Sequence, residues 1–323
     1  MGYNQRTGQP VGVTLGIEDI AEMAKKLGLN DKTGIEIDIP KEASGGVPNP
    51  QSKIMVTQAL LRNYLKSHIR NYIKEGLEFT DKEIQEKINE IVSWLEEDNI
   101  ISRNEVIRRL DEMGIEPEKV LPGDREGLAD RIKYTYLNYA GWNITDTLNV
   151  TIGQGQNAYT PVQIANYIAT IANGGYKNKL TLINSIKNYD NSQTIYEREV
   201  VSERIELNDY NNLEYVKLGM RKVVTEGSVR SIFKDFPISV AAKTGTAQRS
   251  GINPVTGDTY DEYAWFVAFA PYEDPEIAIS IVLFQGGSGG YAAPIAREII
   301  AQYFGLNNTS VDERLPFENG LGR

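Results

Sequence analysis

Hydrophobic positions change their spacing four times along this chain. Near the start, Ile17, Ile20, Ala21, Ala24 and Leu27 fall on one face of a helix that Gly28 stops. Ile35-x-Ile37-x-Ile39 then alternates at strand spacing. From Ser52 to Tyr139 amphipathic helices dominate, predicted over Ile54–Glu75, Asp81–Glu97 and Arg103–Met113. Thr80 with Glu83 and Ser102 with Glu105 form the capping-box pattern that opens the second and third of these. The stretch from Leu213 to Phe233 reads as one further helix, with Val216, Leu218, Met220 and Val224 as its apolar positions. Beyond it the period shortens. Ile238–Thr246, Ala264–Ala270 and Ile277–Phe284 are β-prone runs, the last two joined by a proline-bounded turn, so three adjacent antiparallel strands are expected. Ala292–Tyr303 supplies a covering helix, and residues 307–323 read as a loose polar tail.

The organisation that follows is a first part over 1–51, a helical insertion over 52–139, a second part over 140–306 and the tail. The fold class is α+β, an antiparallel sheet flanked by helices with an all-helical insertion. A chain of 323 residues can bury a sizeable core, and its net charge of −10 argues against nucleic acid and against an anionic membrane surface as partners. There is no cysteine, which removes thiol catalysis and the usual zinc ligand sets and is compatible with an oxidising compartment. His68 is the single histidine and lies on a helical run, so it reads as a helix-face residue. Gly153-x-Gly155 lacks a third glycine opening a helix, and Gly286-Gly-Ser-Gly-Gly290 lacks the Lys-Ser/Thr ending of a phosphate loop. The latter reads as a flexible turn after a strand. No cofactor and no metal are expected.

Three stretches carry candidate chemistry. Lys243-Thr-Gly-Thr-Ala-Gln248 follows the apolar run Phe236–Ala242. Thr151-Ile-Gly-Gln-Gly-Gln156 precedes Thr160-Pro-Val-Gln163, where Thr160 is an N-cap, Pro161 the first helical residue and Gln163 the third member of a capping box. Val162, Ala165, Ala169 and Ala172 share a face of that helix, which Asn173-Gly174 ends. Upstream, Leu27-Gly-Leu29 leads into Thr33-Gly-Ile-Glu-Ile-Asp-Ile39-Pro40, followed by Glu42 and Gly45-Gly46.

In this order the pieces resemble the transpeptidase domain of class B penicillin-binding proteins, over most of residues 1–50 and 140–306. The resemblance implies a D,D-transpeptidase that cross-links peptidoglycan through an acyl-serine, with D-Ala-D-Ala stem peptides as substrate and β-lactams as trapping ligands. It implies that Lys243 places a cation beside the substrate carboxylate, that Thr244 and Thr246 offer it hydroxyls, and that the Thr246 N–H supplies half of the oxyanion hole. Gly245 would let the substrate approach the backbone, and Gln248 would lie further along the edge. An extended peptide would add to the strand edge. The same resemblance implies an enzyme on the extracytoplasmic face of a bacterial membrane, held by an anchor not found in this chain. The insertion is either a self-packed bundle elaborating a loop or a docking surface for other cell-wall proteins.

The family's serine-x-x-lysine and serine-x-asparagine motifs lie upstream of the point corresponding to Met1, so the chain is expected to be the C-terminal part of such an enzyme. Ser231-Ile-Phe-Lys234 matches the first pattern but ends only nine residues before Lys243, too close for the family's order. Ser102-Arg-Asn104 matches the second and is explained as a helix cap. No nucleophile is assigned. Two other readings stand beside this one: a serine β-lactamase or β-lactam sensor, and a non-catalytic scaffold or binding protein that keeps the fold.

Overall fold

The computed structural model describes residues 15–37, 42–249, 251–253 and 256–306. The chain forms two compact units. One takes Val47–Asn157 with the described residues through Glu22, the other Met23–Gly46 with those from Ala158 onward. Helix α1 (Ile17–Lys26) spans the division and is closed by Gly28 at φ +84°.

The first unit is helical. Its α2 (Pro50–His68) starts at a reciprocal box between Asn49 and Ser52, with Pro50 at the first position where its missing N–H costs nothing. The expected run to Glu75 ends earlier, in a 3₁₀ turn over Ile69–Tyr72. α3 (Asp81–Ser93) likewise passes into a 3₁₀ turn over Trp94–Glu96. Both turns draw apolar residues into the core: Ile69, Tyr72, Trp94 and Leu95 are all buried. Thr80 and Glu83 form the predicted box, whereas at α4 (Arg103–Glu112) only half of one forms. Ser102 accepts the Glu105 N–H, but the Glu105 carboxylate turns to Arg108 and Arg109, each at 2.7 Å. A helical stretch follows through α5 (Leu128–Asp130), a π-helical segment Arg131–Leu137 and α6 (Asn138–Ala140), then α7 (Ile144–Thr151) under an Asn143–Asp146 box. Leu61, Leu65, Ile88, Ile91, Leu110 and Ile132 centre one continuous core. His68 is structural: its ring stacks on Tyr64 at 4.5 Å, with Nδ1 2.8 Å from the Tyr64 carbonyl.

The second unit holds α8 (Pro161–Ala172), two small antiparallel pairs, two helices, a three-stranded sheet and a last helix. The small pairs join β1 (Tyr176–Asn178) to β4 (Ser202–Arg204) and β2 (Ser185–Lys187) to β3 (Thr194–Glu197). α9 (Asn211–Thr225) and α10 (Arg230–Phe233) replace the single helix expected over 213–233. The break comes at Glu226-Gly227, whose N–H groups both bond to the Lys222 carbonyl at 2.9 Å; a Cβ on Gly227 would lie 2.8 Å from the Val223 oxygen. The buried stripe of α9 is Leu213, Lys217, Met220 and Val224, with Val216 and Leu218 exposed. On α8 the buried apolar residues are Ile168, Ile171 and Ala172, and Val162 faces out.

The main sheet orders β5 (Ala241–Ala247), β6 (Tyr263–Ala270) and β7 (Ile277–Leu283), all antiparallel as expected, with β5 at an edge. Ala241, Val267 and Phe269 pack with Ile168 of α8 and Met220 of α9 on one face. Ala242, Phe266 and Ala268 pack on the other with Ala296 and Ile300 of α11 (Ala293–Tyr303). The strand expected at Ile35-x-Ile37 does not form in its described part. Glu36 instead accepts the Leu182 and Ile183 N–H groups at 3.0 and 2.7 Å. Ile39 and the expected tail at 307–323 lie outside the described residues.

Candidate active site

β5 is an outer strand, so alternate residues turn their N–H and C=O groups away from β6. Its register sets Lys243 opposite Val267, Thr244 opposite Phe266, Gly245 opposite Trp265 and Thr246 opposite Ala264. Alternation then places Lys243 and Gly245 on the α8–α9 face with Ala241, and Thr244 and Thr246 on the α11 face with Ala242. The strand begins fully buried at Ala241 and Ala242 and emerges at Lys243, which is exposed. Cation and hydroxyls thus flank the same edge from opposite faces. Lys243 Nζ donates to the Thr244 carbonyl. Residues two apart in a strand turn their backbone groups the same way, so the Thr246 N–H faces the side of the Thr244 carbonyl.

The strand is held from several directions. Arg221 of α9 donates to the Val240 carbonyl at 2.8 Å just before β5 begins. The glycine-rich segment after β7 lies directly on the sheet, which corrects its reading as a flexible turn. Gly289 is buried and its N–H donates to Thr246 Oγ1 at 3.2 Å. A Cβ on Gly289 would sit 2.7 Å from both Gly245 N and Trp265 O, and one on Gly286 2.8 Å from the Ala264 Cβ. Only a bare backbone fits there. This bracing was missed in the sequence, although the run of four glycines in five residues was its signal. Gln248 follows the last paired residue of β5 and is exposed; next to it the Arg249 guanidinium lies 3.6 Å from the Tyr260 ring centroid.

Gln163 does more than cap α8. It closes the predicted box with Thr160, and its Nε2 donates to the carbonyls of Asp31 and Ser44, both at 2.7 Å. Gly45, at φ +69°, is required beside it, since a Cβ would lie 2.6 Å from Gln163 Oε1. In the helical unit, Gly153 and Gly155 both take positive φ in the turn that ends α7. Half-buried Tyr159 has its hydroxyl pushed up to about 12 by desolvation, with a smaller contribution from Tyr167.

Each of the two serine patterns has a structural place of its own. Ser231 is exposed on α10, a single turn anchored by buried Phe233, and Lys234 is exposed after it. Ser102 caps α4. Ser231 is also the one serine of the chain with a lysine three residues on.

A family model described as "Penicillin binding protein transpeptidase domain" matches residues 112–301. The chain belongs to that family. It is 35% identical over 176 residues to "Penicillin-binding protein 2A" of Bacillus subtilis, a match covering 50% of this chain and 24% of the relative. With "Peptidoglycan D,D-transpeptidase MrdA" of Haemophilus influenzae it shares 31% identity over 187 residues, 54% of this chain and 27% of the relative. The match thus spans about a quarter of each relative's length. Among solved structures, Pseudomonas aeruginosa PBP2 in complex with WCK 5153 aligns with TM-score 0.54 and 21% identity, over 91% of this chain and 45% of that one. The complex between PBP2 and MreC from Helicobacter pylori aligns with TM-score 0.52 and 21% identity, over 91% and 37%. These two likenesses establish the fold, an α+β transpeptidase fold.

Proposed function

We propose that this chain supplies the substrate strand of a penicillin-binding D,D-transpeptidase. β5 takes the D-Ala-D-Ala end of a peptidoglycan stem peptide along its outer edge, and β-lactams occupy the same place. The observation that carries this reading is Lys243-Thr244-Gly245-Thr246 on an edge strand held from behind by Gly289. A serine oxygen attacks the penultimate D-alanyl carbonyl, the terminal D-alanine leaves with a proton on its nitrogen, and an amine of a neighbouring strand then displaces the serine. Lys243 and the Thr244 and Thr246 hydroxyls hold the substrate carboxylate, while the Thr246 N–H faces the developing oxyanion. Gln248 lies where the peptide would leave the strand. The nucleophilic serine is not among these residues. Such an enzyme works on the extracytoplasmic side of the membrane; among the described residues no helix is long and apolar enough to cross one.

Intact mass after incubation with benzylpenicillin tests the assignment of the serine. This chain should keep its mass, and a stoichiometric adduct mapping to Ser231 would overturn the assignment. In a polypeptide joining these residues to the family's serine-bearing segment, one adduct per chain is expected. There, Thr246→Val should slow acylation by roughly tenfold to a hundredfold, the loss of a hydrogen bond to a charged group. An unchanged rate removes Thr246 from the site.

A further inference from the structure

Three lysines are buried among the described residues: Lys53, Lys133 and Lys217. Two have carboxylate partners. Lys53 Nζ reaches Asp146 at 2.8 Å and Lys217 Nζ reaches Glu214 at 3.1 Å. Lys133, only 9% exposed, has no side-chain hydrogen bond or ion pair with any described residue. Its stem is buried while Nζ keeps access to solvent, so the ammonium is free to meet a ligand.

Lys133 lies within the π-helical segment Arg131–Leu137, a departure from α-helical winding that recurs at functional sites. It lines a half-open pocket of about 360 Å³ inside the helical unit. Its apolar lining is Ile54, Trp94, Leu95, Ile101 and Leu137, beside the polar Asn99 and Asn138. Ile100, 91% exposed, also lines the pocket and extends its apolar surface towards solvent. Two carboxylates are present as well. Both oxygens of Glu97 are taken by Arg109, while Asp98 stays open as an acceptor. The cavity therefore suits a ligand with an apolar body, one negative group for Lys133, and N–H groups for Asp98. A uniformly acidic segment would be repelled by Asp98.

We propose that this pocket receives the C-terminal end of a partner polypeptide, an apolar last residue seated against Trp94 and Leu137 with its α-carboxylate on Lys133 Nζ. The volume holds one or two residues, which a chain end can fill by entering once, whereas an internal segment would have to enter and leave. A terminal carboxylate is also the one anionic group that every chain end carries next to its last side chain. The site lies wholly within the helical unit, and it stands whether or not the transpeptidase reading holds.

The test uses the full 323-residue chain and an array of hexapeptides whose last two positions run through all apolar pairs. Each peptide is made with a free and with an amidated C-terminus. A subset of free acids should bind, and their amides should bind at least tenfold more weakly. Lys133→Met, which keeps an apolar stem, should erase that difference, and Lys133→Arg should restore it. Independently of any variant, the best free acid should protect residues 94–101 and 133–141 from hydrogen exchange. Absence of binding in the free-acid set, equal binding of the amides, or protection elsewhere in the chain would overturn the proposal.

Discussion

Gly289 governs how closely the segment after β7 can lie against the candidate site. A side chain on it would need the space that the Gly245 backbone and the Trp265 carbonyl already occupy, and its N–H reaches Thr246. Gly289→Ala should therefore push the segment off the sheet and lower the stability of the sheet unit by about 1–3 kcal/mol, the usual cost of overpacking. Gly290→Ala is the matched control. The nearest atom to a Cβ there is Ser288 Oγ at 3.8 Å, an ordinary contact, so that variant should be close to neutral. Denaturant midpoints of the two variants settle the point, and equal midpoints would mean the close approach carries no energy. Both glycines stand in one run and look alike in the sequence. What separates them is which backbone lies opposite, a non-local fact. Lys243, Thr244 and Thr246 were legible because a tripeptide on an apolar strand is a local pattern. Their distribution over two faces followed once the register with β6 was known.

At the scale of elements, helix starts with a Thr capping box were legible, as were the ends of α1 and α8 marked by glycine. The start of α2 and the ends of α2 and α3 were not. Caps at Thr80 and Thr160 are contacts between residues three apart, so the sequence contains both partners. The ends of α2 and α3 depend on which residues the core draws in, and the split between α9 and α10 depends on a glycine folding back on its own helix. The contact between α2 and the start of α7 is equally non-local. Lys53, 2% exposed, donates to the Gly141 carbonyl at 3.0 Å and to Asp146 at 2.8 Å. Asp146 Oδ2 also accepts the Asn143 N–H that opens α7. Lys53→Ala would leave that carboxylate without its cation and open a gap beside Tyr139, whose ring centroid lies 4.5 Å from Nζ. Breaking a buried pair from one side costs about 3–5 kcal/mol, less where one partner is partly solvated as Asp146 is, so a loss near the lower figure is expected in denaturant unfolding. A loss under about 1 kcal/mol would reduce the pair to the rank of a surface bridge.

Over the whole molecule, the helical unit and the sheet unit are organised around different apolar clusters, and the charge is distributed unequally in kind. The helical unit is laced with arginine–carboxylate pairs. Arg103 meets Asp130 and Glu118, Arg108 meets Glu105 and Glu112, and Arg109 meets Glu97 and Glu105. Glu105 is the hub of the last two. Hydrogen bonds from Arg108 first and Arg109 second hold its carboxyl down at about 2, against an ordinary value of 4.5. A carboxyl with a depressed folded value stabilises the fold fully above its unfolded value, and that contribution is lost as pH falls towards the folded one. The stabilisation from Glu105 is therefore complete at neutral pH and declines from about 4.5 down towards 2. Glu105→Gln removes the charge at every pH. The Tm gap between wild type and this variant should accordingly be widest at neutral pH and shrink by about pH 3, as protons replace the arginines on the wild-type carboxylate. Calorimetric scans of both proteins across that range would show it. A gap that stayed constant with pH would mean that Glu105 acts through its backbone position at the start of α4, and that its ion pairs add nothing to the fold.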